Sequence, residues 1–228
     1  MRQEILKFDF KFNSNDFFVS TKNSLAFNLV ANWPLWKNKF VYIYGPEGCG
    51  KTTICRMWEK RSNAIYLSKN KLKQLIDTNF DIKDLDSKNW ILENLDVLIN
   101  EKQNSYDERI LNFLNFLKSS NNSFLLVTSK KSPKFLDTKL QDLISRLSSM
   151  LVVEVKEPDE ELLMKIIEKY LLDRRIKLDK NIINFILNRI ERTYKSALRI
   201  SKLIDKYSLE NHANISKKFI SNIIKQSN

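Results

Sequence analysis

Three glycines in 228 residues are the feature that most constrains this chain. Ordinary usage of about 7% would supply roughly 16. All three fall within six positions, at Gly45, Gly48 and Gly50. A chain that otherwise does without glycine keeps it where no Cβ fits or where φ must be positive. The segment reads Gly45-Pro46-Glu47-Gly48-Cys49-Gly50-Lys51-Thr52, followed by Thr53, with the spacing G-x-x-x-x-G-K-[ST]. Before it, Phe40-Val41-Tyr42-Ile43-Tyr44 is a short apolar run suited to a buried strand; after it, residues 53–60 suit a helix. Strand, glycine loop and helix in that order form a phosphate cradle, because loop N–H groups converge on phosphate oxygens and the helix N-terminus adds positive potential. The expected ligand is ADP or ATP, held by residues 45–53. Lys51 is expected to reach the β- and γ-phosphates, and the Thr52 hydroxyl to help hold Mg2+.

The rest of the chain has an alternating plan. Residues 21–31 read as a helix with Leu25, Leu29 and Val30 toward the core, broken by Pro34. Further strands are predicted over 64–68, 90–92, 123–128 and 150–155, and an amphipathic helix over 105–118. This pattern predicts an α/β fold: a five-stranded parallel sheet with helices on both faces. After Pro158 the strands stop, and residues 160–173, 179–190, 195–207 and 216–225 all read as helices. The expected organisation is an N-terminal segment over 1–15, a nucleotide-binding α/β domain over 16–157 and a small helical lid over 158–228.

Composition closes off several classes of protein. Hydrophobic residues make up 43% of the chain, and no run of about 18 apolar residues is present, so a globular chain outside the membrane is expected. The start lacks the pattern of a signal peptide, which points to the cytoplasm. Two cysteines, Cys49 and Cys55, and one histidine, His212, give neither a disulfide framework nor a zinc site. The net charge of +12 is spread along the chain; it fits either direct contact with a polyanion or a broad Lys/Asn/Ile bias.

Hydrolysis needs acidic groups beyond the third strand. Glu93 stands where a magnesium-associated acid is expected, and Asn94 takes the next position, which is usually acidic. An amide is no general base, so weak intrinsic hydrolysis is expected, with Asp96 as an alternative acid. Thr128, at the end of the fourth strand, is either a γ-phosphate sensor or, like Ser129, a turn residue. Arg146, just before the last strand, is either a solvated surface arginine or a finger for a neighbour's site. A finger supplied in trans speeds hydrolysis by about 10³–10⁵.

Together, Asp16-Phe17-Phe18-Val19 with Asn23, Trp33-Pro34-Leu35-Trp36, the glycine loop, Leu126-Val127-Thr128-Ser129, Ser145-Arg146-Leu147 and Pro158-Asp159 carry a resemblance over nearly the whole chain. It resembles the AAA+ module of the replication initiator DnaA, and within that family the shorter Hda-type regulators that inactivate the initiator. The resemblance implies a helical lid in which Lys195 takes the place of a nucleotide-contacting arginine; lysine keeps the charge but loses the planar fork, and Arg192 or Arg199 are alternatives. Two features favour the shorter regulators. The sequence ends after the lid, where DnaA continues into a helix-turn-helix domain. In addition, Gln3-Glu4-Ile5-Leu6-Lys7-Phe8 resembles a sliding-clamp-binding peptide, with Gln3 at a polar subsite and Leu6 and Phe8 as apolar anchors. The implied partners are DnaA, the DNA polymerase sliding clamp (beta subunit), DNA through the clamp, and a second copy of the chain. The implied role is negative regulation of replication initiation. The alternative is an ATP-driven initiator or helicase-loader-like protein acting on DNA.

Overall fold

A computed structural model describes residues 18–77, 88–101, 106–119, 122–211 and 215–227. The segment holding Gln3, Leu6 and Phe8 lies outside these, as does His212.

The strand before the glycine loop, β1 (Phe40–Tyr44), sits at the heart of the molecule. Its three middle residues are all buried, as a strand covered on both faces requires. It pairs in parallel with β4 (Phe124–Ser129) on one side and β5 (Leu151–Glu154) on the other. β3 (Asn89–Leu92) pairs with β4, and β2 (Ile65–Tyr66) with β3, so the strand order is β2-β3-β4-β1-β5. Side chains alternate between the two faces with the period-two rule. Tyr42, Trp90, Leu92, Leu125 and Val127 face a core shared with α4 (Leu95–Ile99), α5 (Tyr106–Ser119) and α6 (Gln141–Ser148). Val41, Ile43, Ile91 and Leu126 face the opposite core, with α1 (Ser24–Ala31) and α2 (Lys51–Ser62). A further helix, α3 (Lys69–Asp77), follows β2. This is the predicted five-stranded parallel α/β architecture.

The Trp-Pro-Leu-Trp segment closes the second core. Trp36 stacks on buried Trp58 at 5.1 Å and donates its indole N–H to the Leu29 carbonyl, while Arg61 donates to the Trp33 carbonyl. After Pro158 four helices, α7 (Glu160–Leu172), α8 (Lys180–Leu187), α9 (Tyr194–Asn211) and α10 (Lys217–Ser227), pack into a core of their own. α7 begins cleanly: Asp159 accepts the Leu162 N–H at 2.9 Å, and two glutamates occupy the first turn.

Several local expectations need correction. Leu25 does not face the core; it is 70% exposed, and Ala26 and Val30 are the buried residues of α1. Both stripes, 25/29 and 26/30, satisfy helical spacing, and the small Ala26 lets α1 lie close to α2. The strand predicted over 64–68 is only two residues long, and β5 is an edge strand with Leu151 and Val152 partly exposed. The short helices α3, α4 and α6 carry no clear signal in the apolar spacing of the sequence.

Candidate functional site

The C-terminal ends of β1, β3 and β4 lie side by side, and the candidate residues gather there. The chain leaves β1 through Gly45, whose N–H bonds to the Ser129 carbonyl. A Cβ at Gly45 would stand 2.0 Å from the backbone oxygen of Val155, so no side chain is admitted. Gly48 has φ of 75° and would bring a Cβ within 2.6 Å of Thr193. Gly50 caps α2 in the left-handed conformation. The three glycines are thus explained by two close approaches and two positive φ values. Pro46, Glu47 and Cys49 complete the loop, and Thr53 lies half-buried in the first turn of α2.

Lys51 is only 7% exposed, and its ammonium donates to the Gly45 and Pro46 carbonyls at 2.7 Å each. Its remaining contact is the Cys49 sulfur at 3.7 Å, so among the described residues no carboxylate touches the buried ammonium and the position favours a negatively charged partner. Across the cleft, Thr52 Oγ1 donates to Glu93 Oε1 at 2.5 Å. The two predicted magnesium-associated residues therefore meet, both offering hard oxygen atoms. Among the described residues no group of three or more His, Cys, Asp or Glu side chains forms a metal cluster. The donor set thus fits a cation that takes most of its ligands from phosphate and water, as Mg2+ does.

Asn94 starts α4 in the left-handed conformation, with its N–H on the buried Thr128 hydroxyl at 3.2 Å. Asp96 is buried, and its Oδ1 accepts from the Ser129 hydroxyl at 3.1 Å and the Lys130 N–H at 2.9 Å. It ties α4 to the end of β4. Burial pushes the thiols of Cys49 and Cys55 up, so both stay protonated.

The helical cluster closes onto this loop. The Tyr194 N–H, at the start of α9, donates to the Gly48 carbonyl at 3.0 Å. The Tyr194 hydroxyl donates to the Phe18 carbonyl at 2.7 Å and accepts from Asn23, which is 2% exposed. Burial holds the Tyr194 phenol in its protonated form. One residue therefore joins the chain ahead of α1, the glycine loop and the helical cluster. Tyr194 carried no signal in the sequence, because its side-chain partners lie more than 170 residues away. Tyr194→Phe keeps the ring and removes one hydroxyl from this junction; an expected loss of about 1 kcal/mol should appear as a lower urea midpoint with an unchanged m-value. Lys195, the next residue, is exposed at the mouth of the cleft, and its charge acts on the Glu47 carboxyl of the loop. Arg192 is exposed and pairs with Glu160 at 2.5 Å.

Arg146 lies elsewhere. It is half-buried near the end of α6, less than one turn before Ser149, whose carbonyl accepts from Asn38 ahead of β1. That is the opposite end of the sheet from the glycine loop, about 17 Å away along a five-residue strand. No arginine side chain spans that distance.

A β2-β3-β4-β1-β5 parallel sheet, with a glycine loop after β1 and a helical cluster closing on that loop, defines an AAA+ fold. The particular version is the one found in domain III of DnaA. The chain superposes on domain III of the Thermotoga maritima DnaA with a TM-score of 0.76 at 18% identity, covering 94% of this chain and 97% of that one. With AMPPCP-bound DnaA from Aquifex aeolicus the TM-score is 0.72 at 22% identity, covering 89% and 68%. By sequence, it is 25% identical over 241 residues to the replication initiator DnaA of Borrelia duttonii, covering 96% of this chain but 49% of DnaA. It therefore spans about half the length of the DnaA relatives it matches. It is also 27% identical over 194 residues to an uncharacterized Haemophilus influenzae protein, covering 82% of each. No protein-family model matches the chain. Among the described residues, no helix is long and apolar enough to cross a membrane.

Proposed function

We propose that this protein binds ADP or ATP with Mg2+ in the glycine-loop cleft and acts as a DnaA-related regulator that promotes hydrolysis of DnaA-bound ATP. The nucleotide reading is supported by the buried Lys51 ammonium, which donates to two loop carbonyls and touches no carboxylate among the described residues, and by the AMPPCP bound to structurally similar DnaA. Residues 45–53 would hold the phosphates, with Lys195 at the lid and Thr128 beneath the terminal phosphate. Thr52 and Glu93 would hold Mg2+, which supplies charge neutralisation on the phosphate oxygens. Asn94, in place of a second acid, leaves intrinsic turnover weak, so the bound nucleotide mainly fixes the lid against the loop.

The observation that carries the regulatory role is the placement of Arg146 at the far end of the sheet from its own cleft. An arginine so placed could reach only a neighbour's nucleotide, not its own. In this reading the neighbour is ATP-bound DnaA, a second copy of the chain being the other partner of the same geometry. Gln3, Leu6 and Phe8 would dock the N-terminus on the sliding clamp and bring the chain to DNA. The test is turnover of radiolabelled ATP on DnaA, with and without this protein and clamp-loaded DNA. Acceleration only when all components are present is expected; an unchanged rate would reject the regulatory role.

A separate measurement addresses the cleft. Lys51→Met keeps the length of the side chain and removes the ammonium. ADP affinity by calorimetry is expected to fall about 10- to 100-fold, the worth of a charge-assisted contact to phosphate. Equal affinity for the variant would remove Lys51 from the site.

A further inference from the structure

The glycine loop carries an acid of its own. Glu47 projects from its tip, 74% exposed, and pairs at 2.7 Å with Lys130, which is 46% exposed and follows directly on β4. An exposed pair of this kind contributes little to stability. Its position is more telling. The sheet order puts β4 and β3, with Thr128 and Glu93, on one side of the loop and β5 on the other. The Glu47–Lys130 pair bridges the loop to the β4 side, where the terminal phosphate of a triphosphate would lie. Three cations from three separate elements act on this one carboxyl and hold it below the usual carboxylate range: Lys130 most strongly, then Lys195 from the lid and Lys51 from α2. The main chain under Lys130 is fixed, because its N–H is bonded to buried Asp96. Its ammonium thus reaches Glu47 from an anchored base.

We propose that Glu47 is an internal counter-anion at the terminal-phosphate end of the cleft, that it holds Lys130 in the absence of a triphosphate, and that Lys130 is the cation a terminal phosphate takes over. The pair then acts as a specificity device that lowers affinity for a nucleoside triphosphate relative to a diphosphate. This rests on the nucleotide reading above and adds to it two residues, Lys130 as a phosphate contact and Glu47 as its competitor.

The test is calorimetric titration of the full chain with Mg2+ and either ADP or AMPPCP. Glu47→Gln keeps the backbone N–H through which the loop holds phosphate, and is expected to tighten AMPPCP binding about three- to tenfold more than ADP binding, the scale of one partly screened charge. The gain should shrink between low and high salt. In the Glu47→Gln background Lys130 has no loop acid to pair with, so adding Lys130→Met reads only its contact with the nucleotide. AMPPCP affinity is expected to fall back about tenfold in the double variant. Both positions are exposed, so thermal midpoints should stay at the wild-type value. An unchanged AMPPCP/ADP ratio in Glu47→Gln, an equal gain for both nucleotides, or a double variant that binds AMPPCP as tightly as Glu47→Gln would each overturn the inference while leaving the nucleotide reading intact. A wild-type chain that binds neither nucleotide would overturn both.

Discussion

Arg146→Ala is expected to abolish stimulation of DnaA-bound ATP hydrolysis while leaving nucleotide binding by this chain unchanged. The separation follows from geometry. Arg146 sits a strand's length from its own glycine loop, beside Ser149 and Asn38 at the opposite end of the sheet, so its guanidinium has no access to the cleft of its own chain. Supplied to a neighbour, a guanidinium stabilises charge on the transferring phosphoryl group, and such fingers are worth about 10³–10⁵ in rate. Stimulated turnover should therefore fall by about 10³ or more. Arg146→Lys is expected to recover little, because the ammonium lacks the planar fork that meets two phosphate oxygens at once. Neither change should alter stability by more than about 0.5 kcal/mol, since the side chain is half-exposed and makes no hydrogen bond or ion pair among the described residues. Single-turnover release of phosphate from DnaA, paired with ADP calorimetry on the variant, checks both halves. Full stimulation by Arg146→Ala would exclude the finger role.

Gly45→Ala is expected to be the most damaging small substitution in the loop. The added Cβ would lie 2.0 Å from the Val155 carbonyl oxygen and 3.1 Å from the Cys49 sulfur. Nothing flexible can yield on the backbone side. The Val155 N–H is bonded to the Tyr44 carbonyl at 2.7 Å, and the Gly45 N–H to Ser129, so the loop's entry is pinned between β5 and β4. Relief requires moving β1 against one of its two neighbouring strands, and the expected cost is about 3 kcal/mol or more. For a chain of this size that is a fall of roughly 6–12 °C in Tm, measured by calorimetry or circular dichroism. Gly48→Ala meets first the Thr193 side chain, at the front of α9, and adds the strain of a side chain at φ 75°. It should push the helical cluster off the loop and weaken nucleotide binding more than it destabilises the fold. A Gly45→Ala protein with wild-type Tm would show that the loop is far softer than its hydrogen bonds imply.

Local chemistry was legible in the sequence wherever one segment carried the whole signal. The confinement of glycine to residues 45–50, between an apolar β-forming run and a helix, identified the loop, and the order of strands and helices gave the parallel sheet. Both rest on constraints that act within a few residues: sterics at a Cα without a side chain, and the period of apolar positions. The tertiary structure decided what depends on approach between distant segments. It chose the Ala26/Val30 stripe of α1 over Leu25, because the stripe that faces inward is set by what α1 packs against. It committed Asp96 to Ser129 and Lys130, although spacing alone left it available as an acid. It joined Thr52 to Glu93, and brought Phe18, Asn23 and Tyr194 together at the loop. It also set Glu47 against Lys130 and put Arg146 at the far end of the sheet. A sequence records which groups are present and their local spacing; which of them neutralise each other, and which are left facing a partner, is fixed only when the chain closes on itself and distances of a few ångströms decide every electrostatic and hydrogen-bonding contact.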